Sequence, residues 1–372
     1  MRVLHFYRTS FPDTMGGVEQ VINQIARGAS KLGVETDVLS LTPGLDLNTI
    51  EIDGYSAHRS KLDVQVASTG FSLSVFKRFA ELAKKADVIH YHFPWPFMDI
   101  VHFACRVSKP TVVTYHSDII RQKYLLKFYR PLKRKFLDDV TRIVATSPNY
   151  LATSEVLVKY KHKVSIIPIG LDKTTYPDPY LEKLAYWRDR LGSKFFLFVG
   201  VIRYYKGLHI LMDAAQGTNY PIVILGAGPI EEELKEQALR LNLNNIHFLG
   251  FLSDEDKIAL LTLCYCVLFP SHLRSEAFGI SLLEGAMYGK PMISSEIGTG
   301  TTFINIADET GLVIPPSDPL ALNKAMRYIW EHPEKASEMG RRAEERYWQH
   351  FTADQMVRSY VDLYNDLERN PS

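Results

Sequence analysis

Two glutamates in the second half of the chain, Glu276 and Glu284, have a spacing suited to binding hydroxyl groups. Seven residues separate them, and the apolar run 267–269 before them predicts a short buried strand. The residues from Phe278 onward favour a helix, so Glu276 would lie in the loop before that helix and Glu284 inside it. Carboxylates accept hydrogen bonds from hydroxyls, and a sugar and a ribose both present paired hydroxyls. The pair therefore predicts a site for a ligand with a sugar at each end.

The start of this predicted helix could hold a phosphate group. It begins with Phe278, Gly279 and Ile280, and a glycine there lets a ligand approach the backbone closely. Free N–H groups and the positive end of the helix dipole favour an anion such as pyrophosphate. From Phe278 to Glu284 the helix rises by about 9 Å, the reach of a nucleoside diphosphate. The plainer alternative is one capping glutamate and one solvated glutamate.

Two cations, Arg203 and Lys206, follow another predicted buried strand and precede a predicted helix. Such a pair suits pyrophosphate binding, although two exposed cations beside a turn are the simpler alternative. The loop Gly226–Pro229 begins like a dinucleotide-binding fingerprint. Glu231 occupies its third glycine position, which argues against NAD.

Composition limits the classes of function that remain. The chain has 372 residues, enough for two domains, and its 43 Lys and Arg against 42 Asp and Glu give no general attraction to nucleic acid. The longest uncharged apolar run, 258–269, is far too short to span a membrane. The 3 cysteines form no disulfide framework. We expect a cytoplasmic protein with free buried thiols.

Alternating strands and helices predict an α/β fold with doubly wound parallel sheets. Helices are predicted between most of the strands, including 18–32, 72–86 and 149–160. Ligands bind such sheets at the carboxyl ends of their strands. The predicted strands are 2–7, 36–41, 87–92, 111–116, 142–146, 164–167, 195–200, 221–225, 246–249, 267–269, 291–294 and 311–316.

Three residues of the first half lie at such strand ends. Gly16 and Gly17 join the first strand to its helix, where a phosphate could approach, although ordinary turns also use paired glycines. His116 ends the strand 111–116 within the sequence Tyr-His-Ser-Asp. We expect His90 and His92, on an earlier strand, to be structural.

The segment Ile119–Leu137 is strongly basic. It carries seven Lys and Arg residues and no acid, interleaved with aromatic and aliphatic side chains. Pro131 should break or kink it into two helical pieces. One interpretation is a peripheral contact with anionic lipid or with a lipid-pyrophosphate acceptor, and the other is a solvated helix face.

The paired glutamates resemble the signature of family 4 retaining glycosyltransferases, two-domain enzymes of the GT-B type. The resemblance covers nearly the whole chain. It implies two Rossmann-like domains facing a cleft, with the acceptor-side domain at 1–175 and the nucleotide-sugar domain at 176–350. Residues 351–372 would form a helix that crosses back to the first domain.

The resemblance also implies roles for individual residues. Lys206 matches a family lysine that binds the diphosphate, whereas Val201 occupies the position of the family arginine, so that Arg203 would have to replace it. Gly228 matches a Gly-x-Gly-Pro loop, and the backbone of Phe251 and Leu252 would contact the base.

The remaining roles concern the sugar. Glu276 would hold the sugar hydroxyls, Glu284 would hold the ribose, and His116 would contact the sugar from the first domain. Gly16 and Gly17 would lie beside the donor phosphates or the acceptor.

The activity implied by the resemblance is retaining transfer of a sugar, without metal or other cofactor, to a lipid-linked or oligosaccharide acceptor. The likeness is greatest to bacterial mannosyl- and rhamnosyltransferases of O-antigen synthesis, and it implies a GDP-linked donor. Two alternatives remain open. One is a nucleotide-sugar epimerase of the same fold, and the other is a non-catalytic partner that binds nucleotide sugars.

Overall fold

The computed structural model describes residues 1–44, 46–66, 69–119 and 123–370, and for 123–126 it describes the backbone only. The chain folds into two compact units. The first contains Met1–Gly170 together with the residues from Ala353 onward, and the second contains Leu171–Thr352.

The first unit is built on an eight-stranded sheet. Its strand order is β10-β9-β8-β7-β1-β2-β4-β3, and all neighbours are parallel except β3 and β4. β5 and β6 form a separate antiparallel pair. The strands are β1 (Arg2–Phe6), β2 (Glu35–Thr42), β3 (Ile50–Ile52), β4 (Tyr55–Lys61), β5 (Val64–Val66), β6 (Thr69–Phe71), β7 (Val88–Phe93), β8 (Thr111–Tyr115), β9 (Arg142–Ala145) and β10 (Val164–Ile166).

The helices of this unit cover the sheet with apolar faces. In the first of them the buried residues recur at helical spacing, as in Val21, Ile22 and Ile25. The helices are α1 (Gly17–Lys31), α2 (Ser74–Lys85), α3 (Pro96–Ala104), α4 (Lys123–Asp139), α5 (Pro148–Thr153) and α6 (Glu155–Lys159), followed by a 3₁₀ turn at Lys161–Lys163.

The second unit is built on a six-stranded, wholly parallel sheet in the order β13-β12-β11-β14-β15-β16. Four of these strands are buried at every residue, as expected for a sheet covered on both faces. The strands are β11 (Phe196–Val199), β12 (Ile222–Leu225), β13 (Ile246–Gly250), β14 (Cys266–Phe269), β15 (Met292–Ser295) and β16 (Gly311–Ile314).

Helices connect these strands, and 3₁₀ turns lie at Lys173–Thr175 and Tyr204–Lys206. The helices of the second unit are α7 (Leu181–Leu191), α8 (Leu208–Ala215), α9 (Glu231–Arg240), α10 (Asp254–Leu263), α11 (Ile280–Met287), α12 (Thr301–Ile304), α13 (Pro319–Glu331) and α14 (Pro333–His350).

The last helix, α15 (Ala353–Arg369), belongs to the first unit and packs against α1. Gly28 allows this contact, because a Cβ there would lie 2.5 Å from a methyl group of Val357. Two buried tyrosines of α15 also bind the sheet: Tyr364 Oη lies 2.7 Å from His90 Nδ1, and Tyr360 Oη lies 2.9 Å from Thr114 Oγ1.

Two local predictions are wrong. The helix predicted at 149–160 is divided, because Ser154 ends α5 and its hydroxyl caps α6. Pro131 lies inside the continuous helix α4 rather than between two pieces. Within the described chain, none of the helices has the length and apolar character needed to cross a membrane.

Candidate active site

The candidate site of the second unit lies at the carboxyl edge of its sheet. The chain turns from β11 toward β12 and β13 on one side, and from β14 toward β15 and β16 on the other. The point between β11 and β14 is therefore the topological switch point, where open α/β sheets bind ligands. Lys206 follows β11 and Glu276 follows β14, so both lie beside this point.

Lys206 and Glu276 form a buried ion pair across the switch point. The Lys206 ammonium donates to Oε2 of Glu276, and each side chain is only 11% exposed. Ser271 donates a weaker hydrogen bond of 3.4 Å to the same oxygen. Burial opposes the charge of the ammonium, but attraction to Glu276 outweighs it and raises the pKa of Lys206. The Lys206 ammonium is therefore charged at neutral pH.

Backbone packing holds the two loops of this pair together. Gly207, after the 3₁₀ turn, has φ of +73°, and a Cβ there would lie 2.0 Å from the carbonyl oxygen of Pro270. The His272 amide donates a 3.0 Å hydrogen bond to the Tyr205 carbonyl. Only glycine tolerates both the backbone conformation and this contact, so Gly207 is required for the position of Lys206.

Arg203 lies at the exposed start of the same 3₁₀ turn. Among the described residues its guanidinium has no hydrogen-bond or ion-pair partner. Its charge repels the Lys206 ammonium and tends to lower the pKa of that group, but attraction to Glu276 has the larger effect. Arg203 thus adds positive potential at this edge, whereas Val201, at the position of the family arginine, is 52% exposed and carries no charge.

The helix start predicted at Phe278–Ile280 exists. α11 begins at Ile280, its N-cap is Gly279 with φ of +101°, and no side chain caps it. Its first backbone N–H groups therefore have no acceptor within the helix. Phe278 is buried against Gly300, where a Cβ would lie 2.6 Å from the Phe278 ring.

Glu284 is buried inside α11 and has two partners. Tyr176 Oη donates a 2.9 Å hydrogen bond to Glu284 Oε1, and Lys257 Nζ lies 3.2 Å from the same oxygen. Burial opposes the charge of Lys257, but Glu284 and Asp254 outweigh it and raise the pKa of Lys257. The alternative of a solvated helical glutamate is therefore wrong for Glu284.

Sequence reasoning missed Tyr176 and Lys257. Tyr176 lies 108 positions before its partner Glu284, in a stretch without periodic pattern. Lys257 lies in the first turn of α10, where a lysine is usually solvated. A position after a predicted strand could have indicated Ser271, but nothing local could have indicated the other two.

The loops after β12 and β13 pack against the loop after β11. Gly228 lies so close to it that a Cβ would be 2.1 Å from the Ile202 carbonyl oxygen. The Gly226 amide donates a 2.8 Å hydrogen bond to the Gly250 carbonyl. Backbone packing alone therefore accounts for Gly228. Phe251, just beyond β13, is 89% exposed, and Leu252 beside it is partly buried.

In the first unit, His116 follows β8 and is 7% exposed. Its Nε2 lies 3.0 Å from Nδ1 of His92. Gly17 begins α1 and Gly16 caps it in an extended conformation. Glu19 occupies the space beside Gly16, with Oε2 only 2.4 Å from where a Cβ would be, and it accepts a 2.7 Å hydrogen bond from Thr9.

Comparisons with known proteins identify the family. The model described as Glycosyltransferase Family 4 matches residues 15–175, and the model described as Glycosyl transferases group 1 matches residues 185–346. Over 95% of its length the chain is 63% identical to a D-rhamnosyltransferase of Pseudomonas aeruginosa, 93% of which is covered. The chain belongs to the family 4 glycosyltransferases.

Other proteins support the same assignment. The glycosyltransferase is 48% identical to an O-antigen chain mannosyltransferase C of Escherichia coli, with 100% of both chains covered. Its fold is similar to that of a sucrose-phosphate synthase from Thermosynechococcus elongatus, with a TM-score of 0.83, 20% identity and 98% of both chains covered. The predictions of a glycosyltransferase and of a GT-B fold with two Rossmann-like units are confirmed.

One histidine cluster of this glycosyltransferase has the composition of a metal site. Nitrogens of His5, His90 and His92 lie within 4.8 Å of one another and are buried. Both nitrogens of His90 and of His92 already have hydrogen-bond partners, and so does Nδ1 of His5. A closed metal site needs four protein ligands and an open one needs three, whereas only Nε2 of His5 lacks a hydrogen-bond partner among these nitrogens, so the cluster does not fit a metal ion.

The only Asp-x-Asp sequence of the glycosyltransferase, at 254–256, lies in the first turn of α10. Ser253 caps α10 by accepting from the Asp256 amide, and Asp256 Oδ1 accepts from Lys183 at 2.8 Å and from Trp187 at 2.9 Å. The carboxylate is thus already engaged in structural contacts.

Proposed function

We propose that this glycosyltransferase transfers mannose or a related 6-deoxyhexose from a GDP-linked donor to a lipid-linked or oligosaccharide acceptor, with retention of the anomeric configuration. The reaction would serve the synthesis of a surface polysaccharide. The activities of the two relatives, a D-rhamnosyltransferase and an O-antigen chain mannosyltransferase, support the choice of sugar. The family likeness supports GDP and retention.

The Lys206–Glu276 pair carries the proposal. In a nucleotide sugar, one bond joins a negatively charged diphosphate to a sugar with several hydroxyls. An ammonium beside a carboxylate matches the two sides of that bond: Lys206 would neutralise charge on the departing diphosphate, and Glu276 would hold hydroxyls of the positively charged sugar. The pair also explains how both charges are tolerated in the free enzyme, since each compensates the other.

Two further groups would bind the diphosphate. Arg203 is a second cation after β11, and the uncapped start of α11 at Gly279 and Ile280 presents backbone N–H groups. These groups would supply the positive charge that a bound metal ion supplies in metal-dependent enzymes. The proposal therefore includes neither metal nor other cofactor.

The nucleoside would lie along the remaining strand ends. Glu284 accepts from Tyr176 on one oxygen, which leaves acceptor capacity for the paired hydroxyls of a ribose. The backbone of Phe251 and Leu252 would contact the base, and Gly228 would keep its loop close to the diphosphate. In the first unit, His116 would contact the sugar, and Gly16 and Gly17 would lie beside the phosphates or the acceptor.

The exposed side of α4 supports a peripheral membrane contact for a lipid-linked acceptor. Lys127, Arg130, Arg134 and Lys135 are exposed, as is Phe128 at 86%. Cations around an exposed aromatic ring suit the surface of an anionic bilayer. Residues 120–122 of the basic segment lie outside the described residues. We place the enzyme in the cytoplasm, at the inner face of this membrane.

A panel of nucleotide sugars tests the proposal. Purified full-length protein is incubated with GDP-, UDP-, ADP- and dTDP-linked hexoses, with and without polyprenyl-diphosphate oligosaccharide, and released nucleoside diphosphate is measured. We expect release from a GDP-linked mannose or 6-deoxyhexose, stimulated by acceptor and abolished in Glu276→Gln. NMR of the product from an α-linked donor should show an α linkage.

Two results would overturn the proposal and favour the open alternatives. Conversion of the donor sugar to an epimer without acceptor would indicate an epimerase. Donor binding by thermal shift without nucleotide release from any sugar, with or without acceptor, would indicate a non-catalytic partner.

A further inference from the structure

Three histidines of the first unit form a hydrogen-bonded chain. His5 on β1 has Nδ1 at 3.0 Å from Nε2 of His92 on β7, and His92 has Nδ1 at 3.0 Å from Nε2 of His116 after β8. Neighbouring rings are nearly parallel, with interplanar angles of 17° and 18°. The chain runs from the interior of the sheet to its carboxyl edge, where His116 is 7% exposed.

None of these three rings carries a charge at neutral pH. Burial lowers the pKa of His5 and of His116 to about 3, and it lowers the pKa of His92 well below its ordinary value, with neighbouring histidines adding to the effect. A neutral imidazole has one N–H and one bare nitrogen. Each of the two hydrogen bonds needs one N–H, so only two arrangements of protons are possible.

The two arrangements differ at the ends of the chain. In the first arrangement, His116 donates to His92 and His92 donates to His5, so that Nε2 of His5 is protonated and Nδ1 of His116 is unprotonated. In the second arrangement, His5 donates to His92 and His92 donates to His116, so that Nε2 of His5 is unprotonated and Nδ1 of His116 is protonated. The tautomers of the three rings are therefore coupled, and the surroundings of His5 Nε2 determine which arrangement is adopted.

Nε2 of His5 is buried and has no hydrogen-bond partner. A buried N–H group without an acceptor is rarer in folded proteins than a buried acceptor without a donor. The arrangement that leaves Nε2 of His5 bare is therefore favoured. In it His5 donates to His92, His92 donates to His116, and Nδ1 of His116 carries the outermost proton.

We propose that His5 and His92 are positioning residues that fix His116 in the neutral tautomer with the proton on Nδ1. Within the described chain, no residue accepts a hydrogen bond from this nitrogen. His116 is thereby prepared to donate to an oxygen atom of the substrate and cannot accept from a substrate hydroxyl. This last step rests on the proposed function, whereas the tautomer itself is a property of the free protein.

His90 is not part of this hydrogen-bonded chain although its ring lies beside that of His92, with the centroids 4.3 Å apart and the planes tilted by 30°. Its two nitrogens are bound to Tyr364 and Thr114 at 2.7 Å each. It therefore cannot receive a proton from His92, and the chain has a single path.

NMR of the free enzyme tests the tautomer without any substrate. The full chain is labelled with ¹⁵N-histidine, and the imidazole signals are assigned by single substitutions. Long-range ¹H–¹⁵N spectra at pH 7.5 should show His116, His92 and His5 as neutral rings protonated at Nδ1. Protonation of His116 at Nε2, or a charged His116, would overturn the proposal whatever the reaction of the enzyme is.

Two variants of His5 test the coupling. In His5→Asn the amide nitrogen is as many bonds from Cα as Nδ1 and can still donate to His92, whereas His5→Ala removes the donor and leaves room for a water molecule, which donates and accepts equally well. We expect mixed tautomers of His116 in His5→Ala and the wild-type tautomer in His5→Asn. His162→Ala, at an exposed position of the same unit, is the control.

The activities of the same variants distinguish a positioning role of His5 from a general loss of folded protein. In His5→Ala, kcat/KM for the donor should fall about tenfold, the value of one hydrogen bond, and His5→Asn should retain most of the wild-type value. Affinity for the nucleoside diphosphate should stay unchanged, because other residues bind it. If His116 keeps a pure Nδ1–H tautomer in a folded His5→Ala protein, or if His5→Ala and His5→Asn lose the same activity, the coupling is wrong.

Discussion

The ammonium of Lys206 and the carboxylate of Glu276 form a buried ion pair between two residues that are 70 positions apart. They meet because β11 and β14 are neighbours in the sheet although β12 and β13 lie between them in the sequence. The switch point of the second unit is thus occupied by one positive and one negative group.

Replacing Glu276 by Gln should slow the reaction without unfolding the protein. The amide keeps the shape of the side chain but loses the charge, so charge-assisted hydrogen bonds to the sugar weaken by about 1.5–3 kcal/mol. Turnover should fall by about 10- to 100-fold, and KM should change less. Steady-state kinetics with the true donor measures this. Glu334→Gln, on the exposed side of α14, is the matched control; equal turnover in Glu276→Gln and wild type would exclude the assigned role.

Replacing Arg203 by Ala should weaken nucleoside diphosphate binding and leave stability unchanged. The side chain has no partner among the described residues, so its removal costs the fold little. Loss of one charge-assisted phosphate contact should raise Kd by about tenfold or more. Calorimetric titration of GDP measures this, with Arg188→Ala, also exposed, as the control.

Lys206→Ala should weaken the same binding more strongly and should also lower Tm. It leaves the Glu276 carboxylate buried without its partner, which is costly. If Arg203→Ala binds GDP as tightly as wild type while Lys206→Ala does not, Arg203 does not replace the family arginine.

Glu284 should make the enzyme select ribose over deoxyribose. Wild type should bind GDP more tightly than 2′-deoxy-GDP by about tenfold, since one hydrogen bond to a carboxylate is lost. Glu284→Gln should reduce this ratio, and Tyr176→Phe should reduce it less, because Tyr176 only orients the carboxylate. Competition titration gives the ratios. A ratio that is the same in Glu284→Gln and wild type would place the ribose elsewhere.

The exposed face of α4 should bind anionic vesicles in a salt-dependent manner. Each cation near such a surface contributes about 1 kcal/mol and is screened within about 8 Å at physiological salt. Flotation with phosphatidylglycerol vesicles at low salt should carry wild type upward, and replacement of Lys127, Arg130 and Arg134 by Ser should prevent this. Lys133 is a poorer choice, because it is partly buried.

The controls for this experiment are neutral vesicles and the triple substitution of Lys324, Lys335 and Arg369, which belong to other helices. Wild type that remains unbound with both vesicle types would show that α4 presents only a solvated face.

Acid should destabilise the first unit through its buried histidines. The pKa of His5 and of His116 is about 3 in the folded protein, and burial also lowers the pKa of His90 and His92 from the ordinary 6.5. Below pH 6.5 the unfolded chain therefore binds more protons, and the free energy of unfolding falls as the pH falls.

The size of this effect is about 1.4 kcal/mol per histidine per pH unit between pH 6.5 and the folded-state pKa. Asp99 opposes it, because burial raises its pKa well above the ordinary value. Denaturant titrations at pH 7.5, 6.5 and 5.5 should show a net loss of several kcal/mol at the lowest value. Equal free energies of unfolding at pH 7.5 and 5.5 would contradict neutral buried histidines.

Much of this protein could be predicted from its sequence because the information is local. Apolar runs of four to eight residues predict the buried strands, and Gly279 before an apolar helical stretch predicts the start of α11. Glu276 lies in the loop directly before α11 and Glu284 lies inside α11. Their spacing in the sequence therefore already determines roughly how far apart they are along the helix axis. The paired glutamates were therefore recognisable before any fold was known.

Tertiary structure alone decided which distant residues meet. Strand periodicity does not encode the order of strands in a sheet, and that order brings Lys206 to Glu276 and Tyr176 to Glu284. It also gives Gly228 a structural role that the sequence does not show, because the Ile202 carbonyl requires a glycine there whether or not a phosphate approaches it.

The histidine chain shows most clearly that the sequence does not reveal which distant residues meet. The sequence treats His92 as an ordinary structural residue, because alternation along a strand shows only which side chains share a face. His5 and His92 are 87 positions apart, and only the pairing of β1 with β7 and of β7 with β8 puts their rings in line with His116. Hydrogen bonding among buried rings depends on which residues are neighbours in three dimensions. The sequence therefore determined where histidines occur along the chain, and the fold determined which of their nitrogens donate hydrogen bonds and to which partner.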